Sequence, residues 1–215
     1  MTCFVLIHGA GGRASQWDLV RTELEARGHD IIAMDLPCED EVGLDAYVDA
    51  VVNAIGDRRG DLVLVAQSLA GFIAPLVAAA IPVTEIVMLA AMVPEPGESG
   101  SDWWSNTGHA AAFAAQGLPD DLPETVFLHD VPADVLSSTE LPRNQTSTLF
   151  VEPWPLDAWP NVPTRFILCR DDRFFPAEWL RSIVIDRLGI EPIEIAGGHC
   201  AYLSQPQAVA DAIQS

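Results

Sequence analysis

Residues 62–79 read LVLVAQSLAGFIAPLVAA, an apolar stretch interrupted by one polar pair, Gln67 and Ser68. The Val- and Leu-rich half before the pair is typical of a buried strand, and the half after it is typical of a helix. A residue on a sharp strand-to-helix turn has strained backbone geometry, and large neighbours two residues away would clash there. Ala66 and Ala70 are small enough to relieve that clash. The stretch therefore predicts a strand, a turn that exposes Ser68, and a helix.

A serine at the start of a helix also has a purely structural interpretation, because serine is a favoured N-cap residue. Ala66 stands where the G-x-S-x-G nucleophile motif has its first glycine, so the motif alone does not separate the two interpretations. A serine nucleophile needs a base and an acid that orients the base. In a hydrolase with a parallel sheet these follow the serine in the order Asp or Glu, then His, so their spacing decides between the two interpretations.

The chain has 215 residues, of which 49% are apolar, and this is enough for a single domain with a sizeable core. Short Val-, Ile- and Leu-rich runs alternate with helical patterns. This alternation predicts an α/β fold, an open and mainly parallel six-stranded sheet with helices on both faces. The predicted strands are 3–8, 30–35, 62–66, 85–91, 165–170 and 192–196. The predicted helices lie near 15–27, 44–56, 69–80, 176–188 and 205–214.

Residues 92–163 are rich in Pro, Gly and Trp and contain no clear strand of useful length. A stretch of this length within a compact domain is usually a functional insertion rather than a plain loop. We therefore predict one structural domain, with a core from residues 1–91 and 164–215 and a small cap from residues 92–163. Short helices are expected in the cap near 109–116 and 132–140.

The composition excludes several classes of function. The net charge of −20 disfavours a nucleic-acid or anionic-membrane partner. The four cysteines are scattered and form no CxxC pair, which argues against a disulfide framework and a structural zinc site. The N-terminal residues lack the basic lead of a signal peptide, and no apolar run approaches the length of a membrane span. The expected location is therefore the cytoplasm.

Residues 8–14, HGAGGRA, follow the first predicted strand and have two interpretations. With Asp35 ending the second strand, they imitate the G-x-G-x-x-A dinucleotide fingerprint. The short-chain dehydrogenases and reductases of that type pair a tyrosine with a lysine, and this chain has no lysine. The glycines can instead let backbone N–H groups face a developing oxyanion. Ala10 is then one donor, Leu69 at the start of a helix is the second, and His8 shapes the loop.

The base and the acid have candidates at the ends of late strands. The stretch RFILCRDDRFFP puts Asp171 and Asp172 just past one strand, and PIEIAGGHCAYLSQP puts His199 in a glycine-rich loop past the last. Both follow the serine in the order that a hydrolase triad requires. His109 and His129 lie in or beside the predicted cap, where a surface role is expected and contact with substrate stays the alternative. The spacing favours a nucleophilic Ser68.

Five stretches carry a resemblance to the α/β-hydrolase fold, namely FVLIHGAGG, DLVLVAQSLAG, LAAMVPEPGES, CRDDRFFP and GGHCAYLSQP. Within that fold they resemble the small esterase branch that includes plant methylesterases and the related hydroxynitrile lyases. The resemblance covers most of the chain except the cap. It implies Ser68 as nucleophile, His199 as base, Asp172 rather than Asp171 as acid, and the same two oxyanion donors.

Two departures from the resemblance separate the activities. The hydroxynitrile lyases carry Thr where Gly9 stands and Lys where Cys200 follows the histidine, and those groups handle the hydroxyl and the departing cyanide. Haloalkane dehalogenases and epoxide hydrolases use Asp at the position of Ser68. Because all three groups are missing here, the resemblance favours an esterase.

The sequence thus predicts a serine hydrolase that cleaves small to medium carboxylic esters through an acyl-enzyme, without a metal or an organic cofactor. A lyase-like or other non-hydrolytic activity, or a non-catalytic ligand-binding role, stays as the alternative. The expected partner is a small-molecule ester, and a homodimer stays open. The residues expected to touch substrate are Gly9, Trp103, Trp104 and Phe113.

Overall fold

The strands form one sheet. A computed structural model describes residues 1–140 and 142–215, and its strands are β1 (Cys3–Ile7), β2 (Asp30–Ala33), β3 (Leu62–Gln67), β4 (Glu85–Leu89), β5 (Thr164–Cys169) and β6 (Ile193–Ile195). Their order across the sheet is β2-β1-β3-β4-β5-β6, and each pairing in the described part of the chain is parallel. The predicted α/β fold with a six-stranded sheet is therefore confirmed, and the sheet is fully parallel.

The helices fall close to their predicted places. Those of the core are α1 (Asp18–Ala26), α2 (Leu44–Ile55), α3 (Ala74–Ala80), α9 (Ala177–Leu188), α10 (Ala201–Ser204) and α11 (Pro206–Gln214). Between β4 and β5 lie α4 (Gly100–Asn106), α5 (His109–Ala115), α6 (Pro123–Val126), α7 (Ala133–Ser138) and α8 (Thr148–Val151). The helices predicted at 15–27 and 69–80 begin as short 3₁₀ helices, Ala14–Trp17 and Ser68–Phe72.

Strand β3 explains why the sequence shows continuous apolar runs instead of alternation. All six of its residues are buried. Leu64 and Ala66 face a cluster that includes side chains of α2, α3 and α9, whereas Val63 and Val65 face a second cluster formed with α1 and α11. Both faces of a parallel sheet are covered by helices, so apolar residues are favoured at every position.

In its described residues, the 92–163 segment contains the two predicted short helices and three others. Helices α5 and α7 match the expected regions 109–116 and 132–140, and α4, α6 and α8 are additional. The only β-pairing found outside the sheet, in the described residues, is an isolated bridge between Ser99 and Pro153. None of the helices that the structure describes is both long and apolar enough to cross a membrane.

Candidate active site

Ser68 occupies a strained turn at the carboxyl end of β3. Its φ of 53° lies in the left-handed region that non-glycine residues rarely adopt. The turn packs closely against the segment after β4, because the Met92 amide donates to the Ser68 carbonyl at 3.0 Å. A Cβ on Gly71 would lie 1.8 Å from the Met92 carbonyl oxygen. The glycine three residues after Ser68 is therefore needed for this close approach.

The turn after β1 presents one free amide. Three of its amides have acceptors, in the bonds Gly9 N–H to Gln67 Oε1 (3.1 Å), Gly11 N–H to Gln145 Oε1 (3.2 Å) and Gly12 N–H to Gly9 O (3.2 Å). Within residues 9–12 of the described chain, only the Ala10 N–H has no acceptor. Leu69 is the second residue of a 3₁₀ helix, so its amide precedes the first carbonyl that the helix can offer. Ala10 and Leu69 both line the same cavity.

His8 holds the glycine turn in place and stays neutral. Its Nε2 accepts from the Leu36 amide at 3.1 Å and from Arg143 Nη2 at 3.2 Å. Because both partners donate, the proton must be on Nδ1, which then donates to the Gly9 carbonyl at 2.8 Å. Burial lowers the pKa of His8 to about 4. The ring therefore has the structural role that the sequence predicted.

His199 is held by a buried carboxylate. Its Nδ1 lies 2.8 Å from Asp172 Oδ2, and the two side chains are almost fully buried. Asp172 Oδ1 accepts from the amides of Phe174 and Phe175 at 2.8 and 2.9 Å. An ionised carboxylate only accepts hydrogen bonds, so the His199 proton lies on Nδ1 and the Nε2 lone pair is free.

The adjacent carboxylate has a different task. Asp171 Oδ2 accepts from the Gly197 amide at 2.9 Å, which ties the turn after β5 to the loop after β6. The structure therefore places Asp172, and not Asp171, against the imidazole of His199. The resemblance implied Asp172 rather than Asp171 as the acid, and that role stays a prediction.

Ser68 and His199 both line one cavity of about 450 Å³. In the described part of the chain, no hydrogen bond joins the Ser68 hydroxyl to the imidazole. The other walls are mainly apolar and include Met92, Trp104, Phe127, Leu128, Phe150, Phe174, Tyr202 and Leu203. Gln16, Thr139 and Glu140 supply polar groups, and no cationic side chain is found among the described lining residues.

Residues 4–212 match the family described as the alpha/beta hydrolase family. The chain belongs to this family. Its sequence is 26% identical to a pyrethroid hydrolase of Sphingobium wenxiniae, over 99% of this chain and 86% of that protein. It is 27% identical to salicylic acid-binding protein 2 of Nicotiana tabacum and 26% identical to methylesterase 7 of Arabidopsis thaliana. Each of these two alignments covers 95% of this chain and 92% of the relative.

Solved structures agree with this placement. Polyneuridine aldehyde esterase superimposes with a TM-score of 0.83 at 21% identity, over 100% of this chain and 98% of the other. A pyrethroid hydrolase from Sphingobium faniae superimposes with a TM-score of 0.80 at 23% identity, over 99% and 96% of the two chains. At these identities the likeness shows the fold. The predicted resemblance to the α/β-hydrolase fold and to plant methylesterases is confirmed.

Two of the residues that were predicted to line the substrate pocket of this hydrolase, Trp103 and Phe113, do not line it. Trp104 lines the cavity, but Trp103 is fully buried, and its Nε1 donates to the Val93 carbonyl at 3.0 Å. Successive residues on a helix point in different directions, so only one of these two tryptophans can reach the cavity. Phe113 also lies outside the cavity wall and stacks on His109 with a centroid distance of 5.8 Å. Neither Trp103 nor Phe113 touches the cavity.

His109 is not the surface residue that was expected. It is buried among aromatic rings, and its Nε2 lies 2.7 Å from the Phe174 carbonyl, so Nε2 carries the proton. Burial lowers the pKa of His109. Gln116, seven residues later, donates to the Arg173 carbonyl at 2.7 Å. The spacing of seven, which puts both side chains on one helical face, was the available signal.

Two further polar residues of the 92–163 segment hold the hydrolase site. Asp130 Oδ2 accepts from the Gly198 amide and from the Ser204 hydroxyl, both at 2.7 Å. Arg143 donates to the Gly12 carbonyl from Nε at 3.0 Å and from Nη2 at 2.8 Å. Sequence reasoning missed both residues, because neither belongs to a motif.

Proposed function

We propose that this hydrolase cleaves small to medium neutral carboxylic esters through an acyl-enzyme on Ser68. The observation that carries the proposal is the shared cavity wall. Ser68 on its strained turn, His199 and the unpaired Ala10 amide all face one apolar cavity, and Asp172 is bonded to His199 from behind. The named relatives include a pyrethroid hydrolase and methylesterases, which supports ester hydrolysis as the reaction.

In the proposed first half-reaction, Ser68 Oγ attacks the ester carbonyl while His199 Nε2 takes the hydroxyl proton. Asp172 keeps the other imidazole proton on Nδ1 and stabilises the imidazolium. The C–O bond to the alcohol then breaks, and His199 returns its proton to the departing oxygen. In the second half-reaction a water attacks the acyl-enzyme, gives its proton to Nε2 and releases the acid, and Ser68 recovers its proton.

The negative oxygen of each tetrahedral intermediate needs donors that are already oriented. The amides of Ala10 and Leu69 meet this need, since neither is used by another acceptor in the described structure. The positive end of the 3₁₀ helix at Leu69 adds to the stabilisation. Each proposed step uses only these groups, the Ser68–His199–Asp172 set and water.

The geometry argues against the lyase alternative. A Cβ on Gly9 would lie 2.5 Å from Gln67 Oε1 and 2.8 Å from Ser68 Cβ, so the threonine of the lyases does not fit here. Cys200 stands where the lyases have lysine. Burial raises the pKa of its thiol to about 12, which leaves the side chain neutral. The site therefore lacks the cation that would receive cyanide.

The cavity wall indicates the kind of ester. Its volume of about 450 Å³ suits a small to medium molecule, and most of its lining is apolar or aromatic. The described lining contains one carboxylate, Glu140, and no cation, so a substrate with a free carboxylate would be desolvated without compensation. We therefore propose neutral esters.

The test is hydrolysis of p-nitrophenyl acetate and butyrate by the wild type and by Ser68→Ala, with matched folded protein. We expect a loss of about 10³-fold or more in kcat/KM for the variant. A fluorophosphonate probe, which bonds to activated serines, should label the wild type once and leave Ser68→Ala unlabelled. Stoichiometric labelling without turnover would favour a ligand-binding protein. Activity that peaks at long acyl chains would contradict the proposed size range.

A further inference from the structure

Gln67 connects two loops that are far apart in sequence and in the sheet. It is the last residue of β3, and only 3% of its surface is exposed. Its Oε1 accepts from the Gly9 amide at 3.1 Å, and its Nε2 donates to the His199 carbonyl at 3.3 Å. Gly9 follows β1, beside β3, whereas His199 follows β6 at the far edge of the sheet. One side chain thus joins the turn of residues 9–12, here called the oxyanion turn, to the loop that carries His199, here called the His199 loop.

The two partners require an amide at this position. The Gly9 N–H can only donate and the His199 carbonyl can only accept, so the orientation of the Gln67 amide is determined. A carboxylate would satisfy Gly9 but not His199, and an aliphatic side chain would satisfy neither. A buried backbone group left without its partner costs free energy, so each replacement should loosen at least one of the loops.

Gly9 and Gln67 also interlock sterically. The φ of Gly9 is not in the left-handed region, so conformational freedom does not explain the glycine. A Cβ there would instead lie 2.5 Å from Gln67 Oε1. The glycine therefore lets the amide approach, and the amide in turn orients the peptide that leads to Ala10.

We propose that Gln67 is a positioning residue that holds the oxyanion turn and the His199 loop at one separation. The proposal rests on the proposed ester hydrolysis for its catalytic consequence. The Ala10 amide must face the oxyanion, and His199 Nε2 must face Ser68, in the same transition state. Gln67 is hydrogen-bonded to the amide of Gly9, the residue before Ala10, and to the main-chain carbonyl of His199. Its neutrality also matters, because a carboxylate here would oppose the charge that develops on the substrate oxygen.

The experiment compares Gln67→Met, Gln67→Glu and the control Gln207→Met with the wild type. Gln207 lies on α11, where its amide reaches Glu23 on the surface at 3.4 Å. For each protein we would measure kcat and KM for p-nitrophenyl acetate, the Tm, and amide hydrogen exchange in peptides covering 7–12 and 196–201.

We expect kcat to fall by about 10- to 100-fold in Gln67→Met, because reacting groups displaced by about 1 Å lose that much. KM should change by less than about threefold, since the other walls of the cavity, apart from Gln67 itself, are unchanged. Gln67→Glu should lose at least as much, as it combines the lost bond with an unfavourable charge. In Gln67→Met, exchange should rise in both peptides together, and Gln207→Met should match the wild type.

An unchanged kcat with unchanged exchange in folded Gln67→Met would overturn the proposal, and so would faster exchange in only one of the loops. A rise in KM without a fall in kcat would also reject it, because that pattern belongs to a binding residue. If Gln67→Met does not fold, Gln67→Glu decides, with faster exchange expected at 196–201. Absence of Ser68-dependent hydrolysis in the wild type would refute the proposed function, and the exchange data would still decide whether Gln67 links the loops.

Discussion

Replacement of Asp172 by Asn tests how the base is held, and the structure predicts why a change of one atom should abolish activity. Oδ1 accepts from the amides of Phe174 and Phe175, which can only donate, so the Asn oxygen must stay there. The Asn amino group then replaces Oδ2 and faces His199 Nδ1. Since two donors cannot bond, Nδ1 must lose its proton and accept. The imidazole proton moves to Nε2, where the lone pair that should activate Ser68 is lost.

The expected loss follows from this change of tautomer. A base held in the wrong tautomer lowers kcat by about 10⁴-fold, equivalent to about 5 kcal/mol of transition-state stabilisation. Stability should change far less, because the three hydrogen bonds of Asp172 are kept in altered form. We expect a cost of about 1–3 kcal/mol, so the variant stays folded at 25 °C. The assay is p-nitrophenyl acetate hydrolysis at pH 7.5, with the Tm measured on the same preparation.

Asp171→Asn is the matched control, since it changes the same chemical group one residue away. Among the described residues, the Asp171 carboxylate accepts from the Gly197 amide alone, and the oxygen of Asn can do the same. We expect kcat to stay within about twofold of the wild type. Retention of more than about a tenth of kcat by Asp172→Asn, or an equal loss in Asp171→Asn, would refute the reasoning about tautomers.

Three other predictions concern packing and protonation. Gly71→Ala places a Cβ 1.8 Å from the Met92 carbonyl oxygen, and we expect a loss of about 2 kcal/mol or more and a fall in Tm of about 4–8 °C by calorimetry. Folding lowers the pKa of His8 to about 4. As the pH falls, the imidazole is therefore protonated in the unfolded chain before it is protonated in the folded protein, so stability falls as the pH drops from about 6.5 to about 4. The pH-dependent part of the free energy of unfolding that His8 supplies reaches about 3 kcal/mol. Urea unfolding at several pH values should show that this pH dependence is reduced in His8→Gln. Trp104 lines the cavity and packs against Phe174 and Phe175, so Trp104→Ala should raise KM for bulky esters and also lower the Tm. Trp103→Ala should lower stability by about 3–5 kcal/mol with little change in KM.

The fold could be predicted because each strand carries its own signal. Burial on both faces requires an uninterrupted apolar run, as the fully buried β3 shows, and no distant contact is needed to recognise it. The same reasoning predicted the residues of the candidate site. Ser68, Asp172 and His199 each follow the carboxyl end of a strand, and parallel strands bring those ends to one edge of the sheet.

The groups that support the site could not be predicted in this way. Asp130 and Arg143 act through hydrogen bonds to backbone groups that are 68 and 131 residues distant in sequence. Such contacts depend on how short helices and loops pack, and helices of four to seven residues such as α4–α8 are too short to show a reliable period. The prediction of Trp103 as a pocket wall beside Trp104 failed for the same reason, because the orientation of one short helix decides which ring meets the cavity.

The contacts of the 92–163 segment have a common logic. Arg143 donates to the Gly12 carbonyl in the turn that carries Ala10. His109 donates to the Phe174 carbonyl in the turn after β5, which carries Asp172. Asp130 accepts from the Gly198 amide in the loop after β6, which carries His199. Each bond reaches a loop that carries one of the proposed catalytic groups. If this segment moved away as a single lid, it would break all three connections and release those loops together. Substrate entry is therefore expected to need only local side-chain movement at the cavity mouth, because these three bonds also hold the loops that carry the proposed catalytic groups.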